Sequence, residues 1–433
     1  MLPYLMILVV TNSIHYGNIM NTINIQKFDM QKIEQMILTL GAIGAHSGTG
    51  VWRTAFSAEW VAAQECIAEW SRDAGLDVRF DAAGNLWARM DGTEGGKAIV
   101  SGSHIDSQCP GGRYDGALGV LSALVAITAL KDAYGSPRKP LELVSFCEEE
   151  GSRFPNAGFW GSRAVVGKIN LQDCNNITDA SGENIGAVMK AAGFDPGCIS
   201  EAERKDIAAF IELHIEQGPI LEDAELPIAV VSGITHIRQT KVTLTGDSNH
   251  AGAFPMDIRR DPMAGFAEVV TTVINHAQKL GRPAVTTVGK CISDPNGAAI
   301  IPRSVTFTID ARHPDPASAT LLYKTHEKML VEIAARRNLT LETQVQIDLP
   351  ACLSDPSLVD AIDLSARAAG VKTMKMASGA GHDAQQMATI CPIAMIFVRS
   401  EGGRSHTPEE FSAIEDIVAG VTVLAGTLYN LAY

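Results

Sequence analysis

Four short segments of this sequence combine histidines and carboxylates with glycine or serine, a mixture suited to binding metal ions. They read GSHIDSQCPGGRYDG at residues 102–116, CEEEG at 147–151, ELHIEQG at 212–218 and GGRSHT at 402–407. Neutral imidazole and carboxylate groups are good ligands for zinc or manganese. We therefore expect these four segments to form one metal site.

The ligand set is large enough for two ions. It contains three histidines and two carboxylates, namely His104, Asp115, Glu150, His214 and His406. Two ions about 3.5–4 Å apart could share Asp115 as a bridge. A metal ion lowers the pKa of its bound water from about 16 to about 7, so a neighbouring carboxylate could then act as the general base.

The acidic run at 148–150 is the candidate source of that base. Three adjacent carboxylates are usually a solvated surface. Here they directly follow an apolar strand at 141–146 and precede glycine and serine, which favours a position at the edge of a sheet. One of these carboxylates could bind metal and its neighbour could take a proton from metal-bound water, and the assignment among Glu148, Glu149 and Glu150 is open at this point.

The first half of the chain alternates helical and strand patterns. A helix is predicted at 57–75, with Ser57 as N-cap, and another at 118–133. Strands are predicted at 98–103, 141–146 and 207–213. This order predicts an α/β sheet covered on both faces. Because the metal-binding segments follow strands, they meet at the carboxyl ends where open α/β sheets place their sites.

The middle of the chain has a different pattern. Apolar and polar residues alternate around 240–244, 305–311 and from 339 onward, and helices are predicted at 261–281 and 316–337. A helix at 356–369, an apolar strand at 390–398 and a helix at 412–430 follow. The predicted organisation is an extension over 1–25, a catalytic domain over 26–232 and 349–433, and an α+β domain inserted at 233–348.

The composition limits the partners of the protein. Its 433 residues carry 35 basic and 49 acidic groups, a net charge of −14, which argues against nucleic acid or an anionic membrane. Eight scattered cysteines without CxxC spacing indicate a reduced, cytoplasmic enzyme. The apolar run Leu2–Val10 is shorter than the roughly 20 residues that span a bilayer. An extension from an upstream start is favoured over an export signal.

Six motifs carry a resemblance to a known family. They are GSHIDSQCPGGRYDGALGV, EEEGSRF, ELHIEQGPILE, NHAGAFPMDIRRDP, SGAGHDA and GGRSHTPEEF. The chain resembles the N-carbamoyl-L-amino-acid hydrolases, allantoate amidohydrolases and β-ureidopropionases from about residue 30 to its C-terminus. These enzymes are relatives of the di-zinc aminoacylases and carboxypeptidases. The resemblance implies a di-metal aminopeptidase-like catalytic domain with an inserted lid and dimerisation domain.

The resemblance also implies the role of each ligand and of the residues around them. Two divalent ions, Zn²⁺ or Mn²⁺, would be bound by His104 with His214 and by Glu150 with His406, with Asp115 as the bridge. Glu149 would be the general base and Asp106 would orient His104. His250 would reach across a homodimer to stabilise the oxyanion in the partner's site. The substrate would be contacted by Gln217, Asn296, Arg312 and His382.

The activity implied is hydrolysis of a linear ureido group on a small carboxylate such as an N-carbamoyl-L-amino acid. Water at the metals, deprotonated by Glu149, would attack the ureido carbon and release ammonia and CO₂. Allantoate, ureidoglycolate and β-ureidopropionate are alternative substrates, and an aminoacylase or dipeptidase activity or an inactive binding protein are alternative functions. The family often has asparagine where Ala299 stands and a small residue where His236 stands, so these two positions bear on specificity.

Overall fold

The structure is a computed structural model that describes residues 28–433. The predicted N-terminal extension over 1–25, with its apolar run Leu2–Val10, lies outside the described residues. The first described helix is Met30–Ala42, and the Asp29 side chain caps it by accepting the N–H groups of Gln31 and Lys32.

The described chain alternates helices and strands. The helices are α1 (Met30–Ala42), α2 (Ala58–Asp73), α3 (Ala117–Tyr134), α4 (Trp160–Val165), α5 (Leu171–Asn176), α6 (Ile185–Ala191), α7 (Ile220–Asp223), α8 (Pro262–Leu280), α9 (Pro316–Arg336), α10 (Pro356–Ala369), α11 (Asp383–Met387) and α12 (Ile414–Ala432). The strands are β1 (Ala45–His46), β2 (Gly50–Val51), β3 (Asp77–Phe80), β4 (Leu86–Met90), β5 (Ala98–His104), β6 (Leu141–Phe146), β7 (Ile207–Ile215), β8 (Ile228–Ile234), β9 (His236–Thr245), β10 (Asn249–His250), β11 (Val285–Asp294), β12 (Ile300–Ile301), β13 (Ser304–His313), β14 (Thr340–Leu349), β15 (Cys352–Leu353), β16 (Thr373–Ser378) and β17 (Ile393–Val398).

A nine-stranded sheet forms the main body of the fold. Its strands run in the order β15-β8-β17-β7-β5-β6-β4-β3, with β16 also paired to β8. The four central strands β17, β7, β5 and β6 are mutually parallel. One face packs against α1, α2, α3, α10 and α12, and the other against residues of α4, α7 and α11. These observations confirm the predicted α/β sheet covered on both faces.

The local sequence explains why these elements form where they do. Every residue of β5 and of β6 is buried, as expected for central parallel strands. The helix α2 begins after Ser57, whose hydroxyl accepts the N–H of Trp60 at 3.1 Å. It is followed by Gly75, whose φ of +69° suits the turn after a helix. The predicted N-cap at Ser57 is confirmed.

A second sheet lies between two parts of the first. The chain leaves the main sheet after β8 and returns to it with β15. Between them, an antiparallel sheet in the order β11-β13-β9-β14 packs one face against α8 and α9. Its core contains Val242, Leu244, Val305, Phe307 and Ile309. The predicted inserted α+β unit is therefore confirmed as part of the fold.

Two further features concern the long helices and the cysteines. α3 and α12 have the length and apolar composition of a membrane-crossing helix, but in this fold they pack against each other and more than half of each is buried. Core helices of globular domains have the same properties. All eight cysteines lie within the described residues and none is in a disulfide.

Candidate metal centre

The carboxyl ends of the central strands bring the predicted ligands together. His104 is the last residue of β5, His214 lies near the end of β7, and Glu150 follows β6. Asp115 precedes α3, and His406 lies in the loop that follows β17. Neighbouring parallel strands end at the same edge of a sheet, so residues almost 300 positions apart, such as Asp115 and His406, become neighbours here.

The five side chains form two groups that share one carboxylate. In the first group, Asp115 Oδ1 lies 3.1 Å from His214 Nε2 and 3.7 Å from His104 Nε2. In the second, His406 Nε2 lies 3.3 Å from Asp115 Oδ2 and 3.5 Å from Glu150 Oε2. The ligand atoms of each group lie within 4.8 Å of one another. Asp115 thus presents one oxygen to each group, an arrangement suited to a bridging carboxylate.

The charges at this site fit divalent cations. Glu150 Oε1 is buried without a hydrogen-bond partner among the described residues. Burial and the nearby Asp115 raise the pKa of Glu150 to about 7. The hydrogen bond to Asp115 raises the pKa of His406 to about 9. The raised pKa values show that this cluster of carboxylates and imidazoles favours bound protons, and divalent cations would take the place of those protons.

Glu149 and Glu148 have different surroundings although they are adjacent. Glu149 Oε2 lies 3.6 Å from His104 Nε2, at the metal ligands. Burial raises the pKa of Glu149 well above its ordinary value, with His104 opposing the shift and the carboxylates of Glu150 and Asp383 adding to it.

Glu148 is turned away from the ligands. Its backbone has a φ of +51°, and its buried carboxylate accepts the N–H groups of Arg153 and Phe154 at 3.2 and 2.7 Å. Burial raises the pKa of Glu148 to about 8. Of the two carboxylates, only Glu149 therefore lies beside the ligand set.

Asp106 contacts two segments of the site. His104 Nδ1 lies 3.1 Å from the Asp106 carbonyl oxygen and 3.6 Å from its Oδ1. The Asp106 carboxylate also accepts the backbone N–H groups of Glu149 and Glu150 at 3.2 and 3.1 Å. In addition to the predicted contact with His104, Asp106 therefore fastens the acidic segment to the end of β5.

Two of the four predicted substrate residues lie next to the metal ligands. Gln217 donates from Nε2 to Asp115 Oδ2 at 2.8 Å, and its Oε1 has no partner among the described residues. His382 is buried, with its ring centroid 4.6 Å from that of His214 and its Nε2 2.8 Å from Ser378 Oγ. Burial and the neighbouring His214 hold the pKa of His382 well below its ordinary value, so this imidazole is neutral.

The remaining predicted residues belong to the inserted unit. Arg312 crosses to the main body, where it donates from Nη1 to the carbonyl of Gly379 at 2.8 Å, and Asp310 holds its Nε and Nη2. Asn296 is exposed between β11 and β12. The exposed His250 accepts the N–H groups of its own loop through Nδ1. Within residues 28–433, no hydrogen bond or ion pair joins His250 or Asn296 to the metal ligands.

Sequence reasoning missed two buried carboxylates around the site. Glu212 accepts the Ser103 hydroxyl at 2.7 Å and the Ala384 N–H at 3.1 Å, directly behind the ligands. It lies two residues before His214 on the same strand, and that spacing could have indicated it. Glu410 accepts the N–H of Asp115. No sequence signal separates Glu410 from the adjacent, exposed Glu409.

The fold and this set of side chains define a metal-dependent hydrolase. Residues 100–430 match the model of peptidase family M20/M25/M40, and the chain belongs to that family. It is a hydrolase that acts on C–N bonds other than peptide bonds, as the sequence predicted.

Three similar proteins illustrate the relationship. The chain is 40% identical over 404 residues to an allantoate amidohydrolase of Escherichia coli (strain K12), covering 93% of this chain and 98% of that one. It is 38% identical over 405 residues to an N-carbamoyl-L-amino acid amidohydrolase of Geobacillus stearothermophilus, covering 93% and 98%. A solved structure of a hydantoinase/carbamoylase family amidase from Burkholderia multivorans matches with a TM-score of 0.86 and 34% identity, covering 94% and 98%. The predicted family is thereby confirmed.

Proposed function

We propose that this protein is an amidohydrolase that uses two divalent cations to cleave the linear ureido group of a small carboxylate substrate. The observation that carries the proposal is the pair of ligand groups that share Asp115, with Glu149 beside them. His104 and His214 would hold one cation, and Glu150 and His406 the other. Bound cations would polarise the ureido carbonyl and make water more acidic.

The proposed role of Glu149 is to move protons. Its carboxylate would take a proton from the attacking water and pass it to the departing nitrogen. Burial raises the pKa of Glu149, which makes its carboxylate a stronger proton acceptor for the first step. Asp106, which accepts the backbone N–H groups of Glu149 and Glu150, would keep the base in place during both transfers.

The proposed substrate contacts come from both parts of the fold. Arg312 has five N–H donors, and the three bonds to Asp310 and Gly379 leave two of them for a carboxylate. Gln217 and the neutral His382 offer polar atoms beside the ligands. His250 and Asn296 would join them when the inserted unit closes or a second copy of the chain approaches. The homodimer is part of this proposal.

The substrate candidates follow from the relatives. The relatives at 40% and 38% identity are named for allantoate and for N-carbamoyl-L-amino acids, which both carry a ureido group and a carboxylate. His236 and Ala299, where the resembling family often has other residues, both lie in the inserted unit. His236 Nε2 is 2.6 Å from Asp348 Oδ1, and the carbonyl of Ala299 accepts the N–H of Ala251, next to His250. They would act on substrate choice and leave the ligand set unchanged.

Two assays together test this function: released ammonia reports hydrolysis of a ureido group, and released acetate reports hydrolysis of an N-acetyl group. Metal-stripped protein reloaded with Mn²⁺ or Zn²⁺ is given N-carbamoyl-L-amino acids, allantoate, ureidoglycolate, β-ureidopropionate and N-acetyl amino acids. We expect turnover of at least one ureido compound and little turnover of the N-acetyl compounds. Preferential hydrolysis of N-acetyl amino acids would instead support an aminoacylase. No turnover of any compound by the reloaded protein would contradict the proposal.

A further inference from the structure

A buried carboxylate that the proposed mechanism does not use lies beside the metal centre. Glu410 is 3% exposed and follows His406 by four residues. Its Oε1 accepts the backbone N–H groups of Tyr114 and Asp115, both at 2.9 Å. Its Oε2 lies 3.0 Å from the hydroxyl of Ser405. Glu410 therefore contacts both the segment that carries Asp115 and the segment that carries His406.

Ser405 provides a second link between Glu410 and Asp115. The Ser405 hydroxyl lies 2.8 Å from Asp115 Oδ2, the oxygen that faces His406 Nε2 at 3.3 Å. Asp115 is thus held at its backbone by Glu410 and at its carboxylate by Ser405, which Glu410 also contacts. Hydrogen bonds to a carboxylate are among the stronger ones in proteins. Together they fix the distance between two of the three ligands in the group formed by Asp115, Glu150 and His406.

The chain around Glu410 is shaped to admit its side chain. A Cβ atom at Gly112 would overlap the Glu410 carboxylate, so this position leaves room for glycine alone unless the carboxylate moves. The neighbouring Glu409 is exposed, and its carboxylate contacts only the hydroxyl of Thr407 among the described residues. The two adjacent glutamates therefore differ in their contacts, and Glu409 provides a matched control.

We infer that Glu410 is a positioning residue for the cation held by Asp115, Glu150 and His406. The inference rests on the proposed two-cation function. A purely structural role would make Glu410 important for folding but indifferent to cation binding. A positioning role requires that loss of Glu410 weakens this cation more than the other. Glu410 and Ser405 are linked to Asp115 Oδ2, which faces His406, whereas the other group uses Asp115 Oδ1 with His104 and His214. Outer-shell residues of this kind typically change metal affinity by about 10- to 100-fold.

The test measures cation binding in the full chain. Metal-stripped wild type, Glu410→Ala, Glu410→Gln and Glu409→Ala are titrated with Mn²⁺ and with Zn²⁺ against a chromophoric chelator. We expect two cations in the wild type and in Glu409→Ala. Glu410→Ala should bind the cation of Asp115, Glu150 and His406 at least about tenfold more weakly, with a smaller loss at the other cation, which shares Asp115. Glu410→Gln keeps an acceptor oxygen for the two N–H groups, so it should recover most of the lost affinity.

Two cations bound to Glu410→Ala with wild-type affinity would overturn the inference. If that variant does not fold, Ser405→Ala removes only the hydroxyl connection and should show a smaller loss confined to the same cation. Unchanged affinities in folded Ser405→Ala would then overturn it as well. Wild-type protein that binds fewer than two cations would contradict the proposed function itself, so the two failures are distinguishable.

Discussion

Asp106 accepts the backbone N–H of Glu150 through Oδ2 at 3.1 Å, which joins the end of β5 to the segment that follows β6. The other oxygen, Oδ1, accepts the N–H of Glu149 and lies 3.6 Å from His104 Nδ1. One carboxylate therefore contacts a proposed metal ligand from each group and the proposed general base.

We accordingly expect replacement of Asp106 to affect binding and turnover together. Asp106→Ala should weaken cation affinity by about 10- to 100-fold and also lower kcat when the cations are saturating. Asp106→Asn keeps one acceptor oxygen and should lie between Ala and wild type. Chelator competition and saturating-metal kinetics provide the two measurements. A normal kcat in Asp106→Ala at saturating metal would show that Asp106 does not position the base.

The acidic run offers a test with a built-in control. Glu149→Gln should keep both cations and lower kcat by about 10²- to 10⁴-fold, because the amide cannot accept the proton. Glu148→Gln should change mainly the stability of the fold, because that carboxylate accepts the N–H groups of Arg153 and Phe154. Measurement of kcat and melting temperature separates the two. An inactive Glu148→Gln beside an active Glu149→Gln would move the base by one position.

These residues also mark what sequence could and could not predict. The meeting of His104, His214 and Glu150 was predictable because parallel strands end at one edge of a sheet. The different surroundings of Glu148 and Glu149 were not predictable, because they depend on a left-handed backbone at Glu148.

Two other features escaped prediction for different reasons. The strand β11 is exposed along most of its length, so it lacks the apolar alternation that signals a strand. Glu410 acts through contacts to residues almost 300 positions away. Local patterns carry no information about such pairings.

A buried histidine in the inserted unit, His326, should make the stability of the fold depend on pH. His326 in α9 is buried, its Nε2 has no partner among the described residues, and its ring lies 5.4 Å from that of His276 in α8. Burial, together with His276, lowers the pKa of His326 to about 4. The unfolded chain, with an ordinary histidine pKa of about 6.5, binds this proton more readily. Stability should therefore fall as the pH decreases from about 6.5 to about 4, by up to about 3 kcal/mol.

His326→Phe should reduce this loss of stability, and an exposed control, His46→Phe, should not. Urea unfolding at pH 7 and pH 5 measures both. An equal loss between the two pH values in wild type and His326→Phe would contradict the assignment.

The predicted role of His250 can be tested across subunits. His250→Ala should lower kcat with cation content unchanged, whereas Arg312→Ala should mainly raise KM for carboxylate substrates. If His250 serves the partner's site, mixing His250→Ala with Glu149→Gln subunits should restore part of the activity, because one of the two sites in a hybrid dimer receives both intact groups. Verified subunit exchange without recovered activity would rule out that role.

The most direct test of the central claim is the cation count of Asp115→Ala beside that of the wild type. Asp115 gives one oxygen to each ligand group, so its loss should release both cations and abolish hydrolysis. Elemental analysis after dialysis should find two divalent ions per chain in the wild type and close to none in folded Asp115→Ala. Chelation should inactivate the wild type, and added Mn²⁺ or Zn²⁺ should restore it. Full cation content in Asp115→Ala, or full activity in metal-free wild type, would contradict the account.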